Sequence, residues 1–271
     1  MIRKKPTIVF DIGGTKTRVG VSWDGKSLTK HLVYRTPQSY EEGFHALTSH
    51  IQKLTNGRSI RVIAGGIAGP LDENKSMVVD APHLVSWNRK PFATDLSNVL
   101  KTTVRLENDT SLVGLGEALY GAGADYSVVM YMTVSTGVNA VRIVDGVLEP
   151  HLIPQEVGRQ IIQIGGPSTL EDFVGGREIQ KRYGVSPKNL TNPQAWKEIT
   201  HCVSVGIYNS ILHWSPDIVV VGGGVMKHIS ITQLQSEVTT LLSPISQKYP
   251  VVRRSTLGEV GGLRGALSLV E

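Results

Sequence analysis

The chain has 271 residues but only one cysteine, Cys202, and no apolar run long enough to cross a membrane. A single cysteine excludes a disulfide within the chain and any cysteine-rich zinc site. A membrane helix needs about 18 consecutive apolar residues, and no segment approaches that length. Low-complexity segments are absent as well. The basic start at residues 1–5 does not match a secretory signal, because Asp11 and two glycines interrupt the apolar run that follows it. We therefore expect a cytoplasmic protein.

The composition is that of an ordinary globular protein, with 40% hydrophobic and 19% charged residues. A chain of this length has room for two domains, at about 100–200 residues each. The formal net charge of +5 is compatible with anionic ligands. Lysine and arginine are scattered, with short clusters only at residues 3–5 and 253–254, so we do not expect nucleic acid as a partner.

Residues 8–21, IVFDIGGTKTRVGV, form the most informative stretch. An apolar run reaches Asp11, the residues Gly13, Gly14, Thr15 and Lys16 follow, and apolar residues then resume with a period of two. This pattern predicts a β-hairpin with a polar turn, whose glycines permit positive φ and whose hydroxyl and ammonium groups suit a phosphate. Asp11 at the end of the first strand is placed to hold Mg²⁺ or its waters. An ordinary Gly-Gly hairpin is the alternative.

Alternating strand and helix patterns follow this hairpin and predict an α/β fold. Apolar residues at helical spacing predict a helix over residues 40–54. Further elements of the first half are expected as strands at residues 31–35, 62–70 and 104–106 and as helices at 91–100 and from 110 onward. Residues 121–125, rich in glycine and alanine, are expected to be a hinge.

The second half begins with a similar hairpin, built from strands at 128–133 and 140–144 around Ser135, Thr136 and Gly137. We expect helices at 170–183, 194–213 and 231–242, strands at 217–221 and 251–253, and a last helix at 263–270. Two similar hairpins suggest a duplicated fold in which each domain directs one phosphate loop at a shared cleft. The expected domains are residues 1–120 and 121–271, with the segment from about 258 to 271 packing back on the first.

Asp109 is the leading candidate for catalysis. A carboxylate at the carboxyl end of a strand can take the proton from a substrate hydroxyl as a general base. The alternative is structural, because aspartate is also a preferred N-cap and Thr110 and Ser111 suit a first helical turn. Two phosphate loops directed at the same cleft favour the catalytic reading.

Two further glycine-containing loops are candidates for nucleotide binding. Thr136, between Ser135 and Gly137, offers a hydroxyl and a backbone N–H to a transferred phosphoryl group, although a plain hairpin turn fits the same residues. Gly222, Gly223 and Gly224 follow an apolar strand and would let an adenosine approach the backbone. A simple strand-to-helix loop explains these three glycines nearly as well.

Two carboxylates of the second half, Glu156 and Glu171, are candidates for sugar binding, because each sugar hydroxyl needs a hydrogen-bond partner on leaving water. Glu171 also suits the start of a helix for electrostatic reasons alone. His83, Trp87 and Asn88 are candidates to line such a pocket, with core packing as the alternative for Trp87.

With these residues in place, the sequence resembles the ROK family of sugar kinases and repressors, within the actin/hexokinase/Hsp70 superfamily. The motifs that carry the resemblance run nearly from end to end and are DIGGTKTRVGV (11–21), GGIAGP (65–70), APHLVSW (81–87), ENDTSL (107–112), STGV (135–138), QEVGR (155–159), LEDFVGG (170–176), IVVVGGGV (218–225) and the final GGLRGAL.

The resemblance implies a two-domain, actin-like (ribonuclease H-like) ATPase fold with an interdomain cleft, and ATP-dependent phosphorylation of a hexose hydroxyl. It assigns Asp109 as the base and Asp11 as the carboxylate on the Mg²⁺ side. It further implies Asn108, Glu156 and Glu171 as sugar ligands, and residues 13–15 with 136–137 as phosphate clamps.

Two departures from the family pattern stand out. The second phosphate loop, usually GTGxGG, reads STGVNA, so Ser135 and Asn139 replace glycines. The usual EIGH reads EVGR, so Arg159 replaces the histidine that contacts sugar and zinc, and the cysteine-rich zinc loop is missing. An arginine is not a metal ligand at neutral pH. We therefore expect no structural zinc, with Arg159 available to a substrate oxygen.

The sequence leaves three functions open. The first is an ATP- and Mg²⁺-dependent sugar kinase with a glucose-like substrate. The second is a sugar-responsive repressor, which we do not expect because the first core strand begins by residue 7 and leaves no room for a DNA-binding segment before it. The third is a binding-only pseudokinase, suggested by STGVNA. The expected partners are a small-molecule sugar and a nucleotide, with no nucleic acid and no membrane, and a homodimer stays open as the assembly.

Overall fold

The computed structural model describes residues 5–149, 154–163 and 168–270. Backbone contacts divide the chain into two compact units. Unit 1 comprises Met1–Gly116 together with Leu257–Glu271, and unit 2 comprises Glu117–Thr256. The division thus falls at 116/117, where we expected it at 120/121. No helix within the described ranges combines the length and the apolar character that a membrane span requires.

Unit 1 is built on a five-stranded mixed sheet in the order β3-β2-β1-β4-β5. Its strands are β1 (Thr7–Ile12), β2 (Lys16–Ser22), β3 (Lys30–Arg35), β4 (Val62–Ile67) and β5 (Val104–Asn108). Its helices are α1 (Tyr40–Thr55), α2 (Phe92–Leu100) and α3 (Asp109–Tyr120), of which α3 continues past the division. β1 and β2 form the hairpin that the alternation of apolar residues predicts.

Helix α1 shows how local sequence sets an element of unit 1. Ser39 caps its first turn by accepting a hydrogen bond from the backbone N–H of Glu42, and Asn56 ends it in the left-handed conformation. Leu47 and Ile51 are fully buried on its inner face. Helical spacing of apolar residues placed this helix at 40–54, and the structure confirms it.

The parallel strands of unit 1 determine where its polar loops lie. Ile12 of β1 is in register with Ile67 of β4, and Ile67 is in register with Asn108 of β5. The carboxyl ends of β1 and β5 therefore meet at one edge of the sheet, as in other open α/β sheets. This edge brings the 13–16 loop and the Asn108-Asp109 turn to the same side of unit 1.

Unit 2 contains a second five-stranded sheet, in the order β12-β11-β6-β7-β8, and a two-stranded sheet formed by β9 and β10. Its strands are β6 (Val128–Val134), β7 (Val138–Val144), β8 (Val147–Leu148), β9 (Ile161–Gln163), β10 (Ser168–Thr169), β11 (Ile218–Gly222) and β12 (Val251–Arg254). Its helices are α4 (Leu170–Val174), α5 (Gly176–Tyr183), α6 (Pro193–Trp214) and α7 (Ile231–Leu242).

The helical stretch expected at 170–183 is observed with one interruption, at Gly175, which divides it into α4 and α5. Gly175 leaves the helical conformation, with ψ at 135°. The N–H groups of Gly176 and Arg177 then donate to the carbonyl oxygens of Ser135 and Thr136, at 2.7 and 3.2 Å. The break is favourable because these tertiary hydrogen bonds use the N–H groups that a new helix N-terminus leaves free.

The segment 121–125, expected as a hinge, lies inside unit 2. Glu117, which is 0% exposed, anchors it by accepting a hydrogen bond from the N–H of Ala122 at 3.0 Å. The same carboxylate accepts from the N–H of Thr256 at 2.9 Å. A buried carboxylate with several donors is tightly held, so this segment is a structured turn.

The last helix, α8 (Gly261–Ser268), belongs to unit 1. Its residues Leu263 and Ala266 are fully buried in a cluster with Val9 of β1 and Leu112 of α3. Gly265 permits this close packing, because a Cβ there would lie 1.8 Å from the carbonyl oxygen of Leu112. The C-terminal segment is thereby part of the layer that supports β1.

Candidate functional site

The first candidate phosphate loop, at residues 13–16, is a tight turn held by backbone hydrogen bonds. The N–H of Gly13 donates to the carbonyl of Lys16 at 3.0 Å, and the carbonyl of Gly13 accepts from the Thr36 hydroxyl at 2.7 Å. Thr15 and Lys16 are exposed. The hydroxyl of Thr15 and the ammonium of Lys16 are thus presented to solvent at the tip of the turn.

Glycine is required in this loop for a reason other than the expected one. Neither Gly13 nor Gly14 has a positive φ. A Cβ at Gly14 would lie only 2.6 Å from Cβ of His83, a contact that real Cβ atoms essentially never make. The loop does not use the positive φ that its glycines permit, and the close approach of His83 explains the glycine at position 14. His83 thus lies against the first loop, and its contact with a sugar remains a prediction.

Asp11 is buried beside this loop and pairs with Arg18. Its Oδ2 is 3.1 Å from Nη1 of Arg18, which lies opposite Asp11 in the β1–β2 register. Our sequence reasoning missed Arg18, although hairpin register alone places it across from Asp11. A second acid, Glu259, is 3.6 Å from Nη2 of Arg18 and 3.1 Å from Nζ of Lys16. The Lys16–Glu259 pair is exposed and therefore weak, which leaves Lys16 able to exchange it for a phosphate.

Burial, and after it the negative charge of Asp109, raise the pKa of Asp11 from its ordinary 3.8 to about 7. This value already includes the opposing effect of Arg18, which lowers the pKa through its charge and its hydrogen bond. Two carboxylates therefore repel each other across this edge of the sheet. Such a pair fits a divalent cation, whose charge would favour the ionised form of both.

This raised pKa predicts a pH-dependent effect of Asp11→Asn on stability. Between the unfolded pKa of 3.8 and the folded value of about 7, the folded wild type binds more protons than the unfolded chain, so its stability falls as pH rises. Asparagine does not titrate. The free energy of unfolding of Asp11→Asn relative to wild type should therefore rise from pH 5 to about pH 7, by about 1.4 kcal/mol for each pH unit, and change little from there to pH 8.

Urea unfolding of both proteins at the two pH values measures this difference. Asp80→Asn, at an exposed position of unit 1, serves as the matched control and should show the same difference at both pH values. An equal effect of Asp11→Asn at pH 5 and pH 8 would contradict the prediction.

The Asn108-Asp109 turn starts helix α3, and its hydrogen bonds show which of the two side chains is the cap. Asn108, and not Asp109, provides the N-cap of α3, because its Oδ1 accepts from the N–H groups of Thr110 and Ser111 at 2.9 and 3.2 Å. Its Nδ2 also donates to the carbonyl of Gly69 at 3.1 Å. Asp109 is the first residue of α3, and its Oδ1 accepts from the N–H of Thr110 at 2.8 Å. The capping alternative considered for Asp109 thus belongs to its neighbour.

The second candidate phosphate loop, Ser135-Thr136-Gly137, joins β6 to β7 in unit 2. The N–H of Ser135 donates to the carbonyl of Gly137 at 2.8 Å, which closes the turn. Glu171 packs against it, since its Oε2 accepts from the N–H of Val138 at 2.7 Å. A Cβ at Gly137 would lie 2.6 Å from the same oxygen. The expected sugar ligand Glu171 thus directly contacts the expected phosphate loop.

Glu156 and Arg159 lie close to Glu171. Burial raises the pKa of Glu156, the charge of Arg159 lowers it and the charge of Glu171 raises it again. Arg159 is exposed on a 3-10 turn. The structure therefore brings together these three expected substrate-binding residues within unit 2.

Asn139, which replaces a glycine of the family pattern, has a structural role that our sequence reasoning missed. Its Oδ1 accepts from the N–H of Val157 at 3.3 Å and so joins β7 to the segment after Glu156. Gly158 lies against the same strand, because a Cβ there would be 2.1 Å from the carbonyl oxygen of Val138. Asn139, in place of the family's glycine, thereby helps to position the segment that contains Glu156.

Gly222 ends β11, and Gly223 and Gly224 follow it at the same sheet edge as the second loop, because Gly222 is in register with Thr133 of β6. Gly223 has φ at +96°, and a Cβ there would lie 2.2 Å from the carbonyl oxygen of Val134. A Cβ at Gly224 would meet no atom of the described residues within 4 Å. Gly223 is therefore required by the backbone, and the space beside Gly224 suits a ligand that lies against the chain.

Trp87 is a core residue. It is 3% exposed and packs in a T-shaped contact with Tyr40, at 5.4 Å between ring centroids. Its ring also fills the position that a Cβ of Gly43 would take. The structure therefore supports core packing for Trp87, and not the alternative in which it lines a sugar pocket.

The described residues contain no group of three or more His, Cys, Asp or Glu side chains that could hold a metal ion. His151 lies outside the described residues. The expected lack of a structural zinc therefore stays a prediction.

We expect the purified protein to carry no stoichiometric zinc, because a structural zinc site needs about four Cys or His ligands. Elemental analysis should find well under one zinc per chain. A zinc-selective chelator should leave the melting temperature unchanged. One zinc per chain, or a lowered melting temperature with the chelator, would contradict this prediction.

Comparison with known proteins identifies the family. The model of the ROK family matches residues 7–150 and 165–271. The chain belongs to the ROK family. An N-acetyl-D-glucosamine kinase from Shigella boydii serotype 4 (strain Sb227) is 27% identical to this ROK protein, over 96% of this chain and 97% of the other.

Solved structures show the same fold. The ROK hexokinase from Thermus thermophilus matches with a TM-score of 0.83 and 26% identity, over 97% of this chain and 96% of the other. A ROK family glucokinase from Streptomyces griseus, in complex with glucose and AMPPNP, matches with a TM-score of 0.81 and 22% identity, over 97% and 98%. The α/β, actin-like fold class that the resemblance implied is thus confirmed.

Proposed function

We propose that this ROK protein is an ATP-dependent sugar kinase, which transfers a phosphoryl group to a hydroxyl of a glucose-like hexose. The observation that carries the proposal is the edge of the unit 1 sheet, where Asp11, the first phosphate loop and Asp109 lie together. Similar proteins named as an N-acetyl-D-glucosamine kinase and a hexokinase support the reaction type. These names do not support the pseudokinase alternative.

In unit 1, Asp109 is proposed as the general base. It accepts the proton of the sugar hydroxyl while that oxygen attacks the terminal phosphorus, and ADP leaves. The exposed Thr15 and Lys16 bind phosphate oxygens, with Gly13 and Gly14 shaping the loop. Asn108 holds the turn and offers to the sugar the N–H of Nδ2 that does not donate to Gly69.

Mg²⁺ is proposed to bind on the Asp11 side, through water, where the repulsion between Asp11 and Asp109 favours a cation. When bound with the nucleotide, it supplies charge neutralisation for the phosphoryl group. Arg18 keeps Asp11 oriented through their ion pair.

In unit 2, the proposed sugar ligands are Glu156, Arg159 and Glu171. The carboxylates accept from sugar hydroxyls, and the guanidinium donates to a sugar oxygen. His83 of unit 1 is a further proposed sugar contact. Residues 135–137 bind phosphate, and residues 222–224 admit the adenosine.

We further propose that the enzyme is cytoplasmic. Its assembly is a homodimer or a monomer, and sedimentation would distinguish the two. Membrane and nucleic acid have no part in the proposal.

A coupled assay of ADP release tests the function. The purified protein is given Mg²⁺-ATP and a panel of hexoses and N-acetylhexosamines, and each rate is compared with the rate without sugar. We expect sugar-dependent ADP release, and a phosphorylated sugar of matching amount by mass spectrometry. Sugar-independent ADP release, or none with any sugar of the panel, would contradict the kinase proposal.

A further inference from the structure

The loop at residues 69–79, which joins β4 to the segment before α2, is a preorganised structure. Asp72 organises it by accepting hydrogen bonds from the N–H of Ser76 at 2.6 Å, the hydroxyl of Ser76 at 2.9 Å and the N–H of Met77 at 2.8 Å. A β-bridge between Leu71 and Val78 closes the loop. Lys75 is thereby held at φ of +50°, a conformation that few non-glycine residues adopt.

From this loop Lys75 reaches β5 and forms an ion pair with Glu107. The Glu107 side chain is 8% exposed, whereas that of Lys75 is 48% exposed. Lys75 contacts Oε2 of Glu107, and the other oxygen, Oε1, accepts from the N–H of Asn108 at 2.9 Å. One nearly buried carboxylate therefore links the loop cation to the backbone that immediately precedes Asp109.

The same loop contacts Asn108 a second time. The carbonyl oxygen of Gly69 accepts from Nδ2 of Asn108 at 3.1 Å. Oδ1 of Asn108 is at the same time the N-cap of α3. Asn108 is thus held through its backbone N–H by Glu107 and through its side chain by Gly69 and α3, which leaves the turn little freedom.

We infer that Lys75 is a positioning residue for Asp109, acting through Glu107 and Asn108. The inference rests on the proposed function, in which Asp109 is the base. Lys75 neutralises Glu107, so that this carboxylate stays in place and holds the N–H of Asn108. Without the cation, a nearly buried carboxylate lacks its counter-charge and rotates toward water, which releases the turn. A small displacement of a catalytic group lowers turnover without removing the binding contacts.

The experiment compares Lys75→Met with Lys75→Arg in the full-length protein. Lys75→Met keeps the aliphatic stem and removes the charge, whereas Lys75→Arg keeps the charge. Lys30→Met removes one exposed lysine of β3 in the same unit and is the matched control. Glu107→Gln and the double variant Lys75→Met/Glu107→Gln complete a double-mutant cycle.

We expect Lys75→Met to lower kcat by about 10- to 100-fold, with KM for ATP changed less than about threefold. Lys75→Arg should restore kcat to within a fewfold of wild type, and Lys30→Met should match wild type. The double variant should be no slower than the slower single variant, because both residues act through one contact. A melting curve of each variant is the control that it is folded at the temperature of the assay.

The inference would be overturned if Lys75→Met had the kcat of wild type. It would also be overturned if the fold-loss of kcat in the double variant were the product of the losses in the two single variants. A lowered melting temperature without any fall in kcat would also overturn it, since that is the result of a structural role alone. Failure of the proposed function is distinguishable, because wild type itself would then show no sugar-dependent turnover.

Discussion

Replacement of Asp109 by alanine is expected to lower kcat by about 10²–10⁴-fold, the usual contribution of a general base. The structure supports a specific loss, because Asn108 provides the cap of α3 and the variant retains it. Binding of nucleotide should change little, since Asp109 is proposed to act on the sugar hydroxyl. Steady-state kinetics with the best sugar, and calorimetric titration with an ATP analogue, measure the two effects.

Two further variants make the test of Asp109 sharper. Asp109→Asn keeps the shape and the ability to accept a hydrogen bond but is a far weaker base, so it should lose nearly as much turnover as alanine. Asp80→Ala, at an exposed position in the same unit, should retain wild-type turnover. Near wild-type rates for Asp109→Ala would show that this carboxylate has no catalytic part.

Gly223→Ala is expected to destabilise the protein by about 3 kcal/mol or more, the combined effect of backbone strain and overpacking. The residue has φ at +96°, and the new Cβ would lie 2.2 Å from a backbone oxygen that cannot move away alone. Gly224→Ala is the matched control, because its φ is −66° and its Cβ would meet no atom within 4 Å in the part of the chain that the structure describes. Urea unfolding of the two variants should therefore give very different midpoints.

The same pair of variants also tests nucleotide binding. Gly224→Ala should keep the stability of wild type but weaken binding of ATP, if the adenosine lies in the open space beside the backbone as proposed. Equal stability of the two variants would contradict the packing argument. If Gly224→Ala bound ATP with unchanged affinity, this residue would not be part of the nucleotide site.

Most elements follow from local patterns. Alternating apolar residues predict the β1–β2 and β6–β7 hairpins, and helical spacing predicts α1 and α7, each within a few residues of its observed bounds. These predictions succeed because strand and helix place side chains at fixed periods, which burial then selects. The motifs around Asp11 and Asp109 likewise pointed to groups at one edge of the unit 1 sheet, and the motif around Glu171 to a carboxylate of α4 that lies beside the second loop.

The contacts that hold the candidate residues could not be predicted from local sequence patterns. Arg18 is an exception, because hairpin register places it opposite Asp11. The ion pair of Lys75 with Glu107 joins residues of separate elements, and it depends on the geometry that Asp72 imposes on a loop. Likewise, α4 and α5 separate because the carbonyl of Ser135 receives a hydrogen bond from Gly176.

The sequence by itself therefore determined the α/β class, the order of most strands and helices, the family and the candidate residues, because periodicity and short motifs are local properties of the chain. Only the tertiary structure decided which atoms of those residues are already engaged. Asn108 serves as the cap in place of Asp109, and Gly14 is required by His83, which lies far away in the chain. The physical reason is that hydrogen bonds and close contacts depend on which strands become neighbours in a sheet, and no local pattern contains that information.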